Sequence, residues 1–189
     1  KPPRLYFASN AANPVVPEEK HLVDEVRALR AEIDWECEVQ TLFRTEHLNV
    51  RDSICGAIDW FFDYEPEGII LEDDCLPHPD FFGFCDEMLE RYRGAQNVAT
   101  ITGNFFQPKP LTGAASYYFS KYVHIWGWAT WRRSWQNYDR NIKFWDHWKL
   151  SDSWKNTLPD PVERKYWEKR FDAVSRGDIV TWDYQLLGS

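Results

Sequence analysis

Three carboxylates in a row follow an apolar run in the stretch GIILEDDCLPHPDFF, where Glu72, Asp73 and Asp74 come directly after Ile69, Ile70 and Leu71. Carboxylates this close repel one another unless a cation or a proton offsets the charge. A hard divalent ion resolves the repulsion, because one or two carboxylates commonly hold such an ion while phosphates and water complete its shell. The plainer alternative is a loop in which one acid caps the turn before Pro77 and the other two are solvated. His78, next to Pro77, reads as a turn residue rather than a ligand.

Acids do chemistry only where something fixes them. Gly68 to Leu71 is too short for a helix and reads as a central strand covered on both faces. In open α/β sheets ligands bind beyond the carboxyl ends of such strands. Strand periodicity would send Glu72 and Asp74 to one side and Asp73 to the other.

Upstream, Arg4 to Ala8 (RLYFA) predicts a short strand, followed by a turning loop with Asn10, Asn13, Pro14 and Pro17. Leu22, Val23, Val26, Leu29 and Ile33 then fall at helical spacing, with acids early where the helix dipole favours them. Cys37 to Phe43 alternates as a half-buried strand, and Val50, Ile54, Ala57, Ile58, Phe61 and Phe62 mark a second amphipathic helix that Pro66 and Gly68 end. Pro79 starts a helix carrying Phe82, Phe84, Cys85, Met88 and Leu89, and Val98 to Thr102 is a strand ending at Gly103. This alternation predicts an α/β layer fold with a mostly parallel central sheet flanked by helices. Beyond about Lys109 the rhythm breaks into a loop, a strand at Ser116 to Ser120 and a Trp-rich helical region, in which Trp128, Trp131 and Trp135 make one stripe, read as core.

The chain has 189 residues, enough for one substantial core, and a net charge of -8 with no basic stripe of the kind that grips nucleic acid. No apolar window approaches the roughly 20 residues that span a bilayer, and no signal-peptide layout opens the chain. Cys37, Cys55, Cys75 and Cys85 lack zinc-ligand spacing and predict free thiols in a reducing compartment. The eleven tryptophans suit either a core or a carbohydrate platform, since indole joins a large flat apolar surface to one N–H. The chain starts at Lys1 and stops at Ser189 in what reads as mid-element, so the expectation is a single domain truncated at both ends.

The segment IILEDDCLPHPDFF resembles the metal-binding region of GT-A glycosyltransferases, specifically those similar to N-acetylglucosaminyltransferase I. SYYFSKYVHIWGWATWRRSW (Ser116 to Trp135) and TWDYQ (Thr181 to Gln185) resemble a bacterial group of nucleotide-diphospho-sugar transferase-like proteins, some labelled hemolytic. The three motifs occur in the expected order and cover nearly the whole chain.

The resemblance implies a Rossmann-like GT-A fold, with residues 1–108 handling the nucleotide sugar and metal and residues 109–189 forming a Trp-rich acceptor side. It implies that Asp74 contacts a manganese or magnesium ion bridging the donor's diphosphate, with Glu72 and Asp73 holding ribose or metal-bound water. It places a catalytic base, in an inverting transferase, at Asp183, for which helix N-capping is the structural alternative. His124, Trp126 and Gly127 become candidate acceptor or donor contacts, since a glycine beside aromatics lets a sugar approach closely. The implied partners are a nucleotide-diphosphate sugar, most readily a UDP-sugar, and a glycan acceptor. The implied location is cytoplasmic, at or near the inner face of the membrane.

Two other functions fit parts of the pattern. A sugar nucleotidyltransferase of the same fold would need a Gly-rich basic loop for triphosphate, which the chain does not display. A glycan-binding module or inactive relative would use the Trp-rich region without turnover.

Overall fold

The computed structural model describes residues 1–106 and 116–188, which divide into two compact units. The expected break near Lys109 lies outside the described residues.

The first unit comprises residues 1–63 and 180–182. Strands β1 (Arg4–Ser9) and β2 (Glu38–Phe43) pair in parallel, from Arg4 opposite Glu38 to Ser9 opposite Phe43. Between them run α1 (Glu19–Ala28) and a short 3-10 turn. Helix α2 (Val50–Tyr64) follows, its first turn capped by Asn49, whose side-chain oxygen accepts from the Asp52 amide at 3.0 Å. It buries Ile58 and Phe62 of the predicted apolar set together with Cys55, while Val50 is exposed.

Helix α1 forms where the periodicity placed it, but its apolar stripe is not its inward face. Leu22, Val26 and Leu29 are exposed, while Arg27 turns inward. Its guanidinium donates to the Asn10 and Arg44 carbonyls (3.0 and 2.7 Å) and the Ser9 hydroxyl (3.2 Å), tying off the carboxyl ends of β1 and β2.

The second unit comprises residues 64–179 and 183–189. Strand β3 (Glu67–Ile70) leads through a turn to α3 (Asp80–Tyr92), then to β4 (Thr100–Thr102) and β5 (Trp128–Trp131). The strand order is β3-β5-β4, and β5 is antiparallel to both neighbours. The described strands thus form a two-stranded parallel and a three-stranded antiparallel sheet rather than one mostly parallel sheet, and β3 stands at one side of its sheet instead of its centre.

The reason lies in Trp128 to Trp131, where a strand replaces the expected helix. Only then does the short helix α4 (Arg132–Trp135) begin. Residues three apart on a strand point to opposite faces. Trp131 and Ala129 therefore pack with Phe81, Cys85, Met88 and Leu89 of α3, while Trp128 turns toward Trp135, ring centroids 6.5 Å apart. The Ser116 to Ser120 segment is not a strand.

Arg133 locks this arrangement, donating to the carbonyls of Tyr92, Arg93 and Val98 at 3.0–3.1 Å while its guanidinium lies 4.3 Å from the Trp131 ring centroid. At the far end of β3, Glu67 accepts two hydrogen bonds from Arg93, at 2.9 and 2.7 Å. That bonding holds the Glu67 carboxyl below its ordinary value of 4.5. A depressed carboxyl stabilises the fold above its unfolded-state pKa, and the stabilisation disappears as pH falls through the folded-state value. We expect Glu67→Gln to cost about 1 kcal/mol at pH 7. Urea melts of the two proteins should converge as pH falls below the folded-state value; a gap that stays as wide throughout the acid range as at pH 7 would refute the assignment.

The chain then forms α5 (Trp145–Trp148), α6 (Asp152–Thr157) and α7 (Pro161–Ser175), the last capped by Asp160, which accepts from the Val162 and Glu163 amides. Trp145, Trp154, Leu158, Phe171 and Val174 make a second core. The indole N–H groups of Trp145 and Trp154 donate to Asp172 (2.8 Å) and Glu168 (3.0 Å), so these tryptophans are satisfied core residues rather than a platform. All four cysteines are free thiols, and among the described residues no helix is long and apolar enough to cross a membrane.

Candidate functional site

The register of the three-stranded sheet brings the candidate residues together. Trp128, the first residue of β5, lies opposite both Ile70, the last of β3, and Thr102, the last of β4. The segments leaving β3 and β4 and the segment entering β5 therefore share one sheet edge. These are the acid turn after Leu71, the Gly103–Phe106 segment and the His124–Gly127 segment.

The acid turn closes with the Cys75 amide donating to the Glu72 carbonyl at 3.0 Å. Asp73 and Asp74 are exposed and Glu72 is half-buried. Among the described residues no basic side chain pairs with Asp73 or Asp74, and the Cys75 thiol lies 3.7 Å from Asp74 Oδ1. Burial pushes that thiol up, and the charges of Asp74 and Glu72 add to the effect, so Cys75 stays a neutral thiol.

The donors the turn presents are thus hard oxygens. Among the described residues no three His, Cys, Asp or Glu side chains converge on a point where they could cage a metal. Such a donor set fits a manganese or magnesium ion held by one or two carboxylates with phosphate and water completing its shell, and does not fit a closed structural site.

His78 is a turn residue. Its carbonyl accepts from the Phe81 amide and its ring from the Asp80 amide at the start of α3.

Gly127 adopts φ +80°, in the left-handed region that side chains resist, and its amide donates to the Ile125 carbonyl at 3.0 Å. A Cβ at Gly127 would sit 3.5 Å from the Phe81 ring and 3.6 Å from Leu71, whereas one at Gly103 would lie 2.5 Å from the same ring. Gly103 donates its amide to the Gly127 carbonyl at 3.2 Å. Phe81 therefore wedges beneath two paired glycine backbones, and the space a side chain at Gly127 would take is bounded by Leu71, the residue that precedes the acids. We expect Gly127→Ala to destabilise the protein by about 1–2 kcal/mol through backbone strain alone. Gly103→Ala should cost more because it clashes with Phe81, and chemical denaturation that ranked the two the other way would contradict this packing.

Trp126 is exposed and His124 half-buried; burial lowers the imidazole pKa, so the neutral ring prevails at pH 7. Asn104 donates to the Trp126 carbonyl at 2.9 Å. Phe81 and Asn104 are positioning residues that periodicity did not single out. The signal for Phe81 was present, since DFF starts α3 directly after the acid turn.

A different element places Asp183. It precedes a 3-10 turn, Tyr184–Gly188, instead of a helix, and its carbonyl accepts from the Leu186 amide at 3.1 Å. Tyr184 and Leu187 pack on the second core, and Leu186 lines a cavity of about 90 Å³ with Trp128, Thr130 and Trp135. The sheet register gathers the acids with His124, Trp126 and Gly127, and the half-buried Asp183 stands on a separate segment that leads into the Tyr184–Gly188 turn.

Compared with family models, curated proteins and solved structures, the chain matches none of them.

Proposed function

We propose that this chain is a metal-dependent glycosyltransferase that moves a sugar from a nucleotide-diphosphate donor to a hydroxyl of a glycan acceptor with inversion. The observation that carries the reading is the pair of exposed carboxylates, Asp73 and Asp74, at the carboxyl end of β3, which have no basic partner among the described residues. Asp74 holds the cation, and Glu72 and Asp73 support the donor. A bound manganese or magnesium ion supplies neutralisation of the charge that develops on the diphosphate leaving group. Asp183 takes the proton of the acceptor hydroxyl as its oxygen bonds to the anomeric carbon, while the bond from that carbon to the diphosphate oxygen breaks.

The test is thermal stabilisation by a panel of nucleotide sugars and free UDP, with manganese and with EDTA, since a ligand that binds only the folded chain raises its apparent stability. Stabilisation that requires manganese supports the reading. Stabilisation indifferent to EDTA, or none with any member of the panel, sinks it. Exposed Trp126 favours one second reading, a glycan-binding module without turnover, which predicts saccharide binding but no manganese-dependent hydrolysis of the donor.

A further inference from the structure

We propose that Trp126, Phe106 and His124 form a stacking platform for the pyranose ring of an uncharged saccharide at the sheet edge that carries the acid turn. Its role as the acceptor's subsite rests on the transferase reading, whereas saccharide binding itself can be measured without it.

Among the eleven tryptophans, all of them described, ten are buried or half-buried and Trp126 is 53% exposed. The protein elsewhere covers its indoles and here leaves one bare beside another exposed aromatic, Phe106. The centroid of the Phe106 ring lies 5.9 Å from that of Trp126 at 63° and 4.7 Å from that of His124 at 56°. The three rings make an angled corner, so a sugar lying flat on one ring meets the edges of the others. Binding sites of this kind combine apolar aromatic area with a few placed polar groups.

The platform is held in place before any ligand arrives. The Asn104 side chain donates to the Trp126 carbonyl, and Asn104 is itself tied to Thr102, whose hydroxyl donates to the Asn104 side-chain oxygen at 3.1 Å and accepts from the Asn104 backbone amide at 3.3 Å. Gly127 is paired to Gly103 across the sheet edge. Little ordering remains to be done on binding, which favours affinity. The half-buried His124 offers one donor and one acceptor to sugar hydroxyls in its neutral form.

Charge selects among ligands with apolar faces. A Cβ at Gly127 would touch Leu71, immediately before Glu72, Asp73 and Asp74. A uronate, a sialoside or an anionic lipid surface would be repelled by that negative turn, whereas a neutral hydroxylated ring would not.

The test labels the protein with 5-fluorotryptophan, assigns the Trp126 resonance with Trp126→Phe, and titrates with the β-methyl glycosides of glucose, galactose and N-acetylglucosamine and with chitobiose. The Trp126 resonance should shift saturably with at least one probe while the ten other tryptophan signals stay in place. Trp126→Ala and Phe106→Ala should each weaken binding about tenfold, and Trp126→Tyr should retain most of it. Because both side chains are exposed, melting temperatures confirm that the variants fold. No shift with any probe, unchanged affinity in Trp126→Ala, or shifts spread over the buried tryptophans would overturn the platform. Wild-type stabilisation by the panel of nucleotide sugars and UDP with manganese is read in parallel. Saccharide binding without it leaves the platform standing and removes the transferase reading; that stabilisation without saccharide binding does the reverse.

Discussion

Replacing Asp74 with alanine is expected to weaken manganese-dependent binding and turnover of a nucleotide sugar by about 10²–10³-fold, with the melting temperature of the free protein unchanged. The size follows from the role. A cation that offsets charge on a diphosphate contributes several kcal/mol, and each 1.36 kcal/mol is about tenfold in rate. On the proposed reading, losing the side chain that would anchor the ion forfeits much of that.

Stability should hold because Asp74 is exposed and makes no ion pair among the described residues, so its removal leaves no buried group unsatisfied. Asp73→Ala should lose less, on the order of tenfold, as expected of a supporting group. Asp80→Ala is the control, since Asp80 is an equally exposed acid a few residues on with no assigned part in donor binding. The measurement is titration calorimetry of UDP with and without manganese. Equal losses for Asp74→Ala and Asp80→Ala would mean that only the general negative field of the turn matters.

Trp145→Ala should be the most damaging single change to the fold, lowering stability by about 3–5 kcal/mol. Trp145 is 1% exposed, with Trp154 and Phe171 ring centroids at 5.0 and 4.8 Å. Its truncation opens a cavity among rings that cannot all move in to fill it. It also removes the donor to Asp172, leaving that carboxylate with Lys149 at 3.4 Å. In a chain of this size the loss corresponds to a fall of roughly 6–20 °C in melting temperature. Trp126→Ala, made on the exposed indole, should change stability by less than about 0.5 kcal/mol. Thermal melts of the pair followed by near-ultraviolet circular dichroism decide the matter, and a Trp145→Ala protein that melted with wild type would show that the aromatic cluster is loosely packed.

Several elements were legible in the chain because their signals are local. The alternation in Cys37–Phe43, the spacing of Val50, Ile54, Ala57, Ile58, Phe61 and Phe62, and the apolar run ending at three acids each place one element with little reference to the rest. Helix α1 marks the limit of such signals. Its periodicity predicted a helix correctly, but the inward face is set by Arg27 reaching three acceptors at the ends of β1 and β2.

The Trp-rich segment marks another. Trp128, Trp131 and Trp135 fit a helical stripe, yet Trp128 and Trp131 lie on a strand and point to opposite faces, because the edges of β3 and β4 need a partner between them. Backbone hydrogen-bond demand from strands roughly 30 and 60 residues away overrides a local period, and no window of sequence contains that demand.

So the residue types alone set the chemistry on offer at Glu72, Asp73 and Asp74, hard carboxylate oxygens behind a strand. Which groups stand beside them was a matter of register. The pairing of Trp128 with Ile70 and Thr102 carries His124, Trp126 and Gly127 to the acids' edge and leaves one indole in eleven exposed there, since pairing between distant strands fixes what local patterning leaves open.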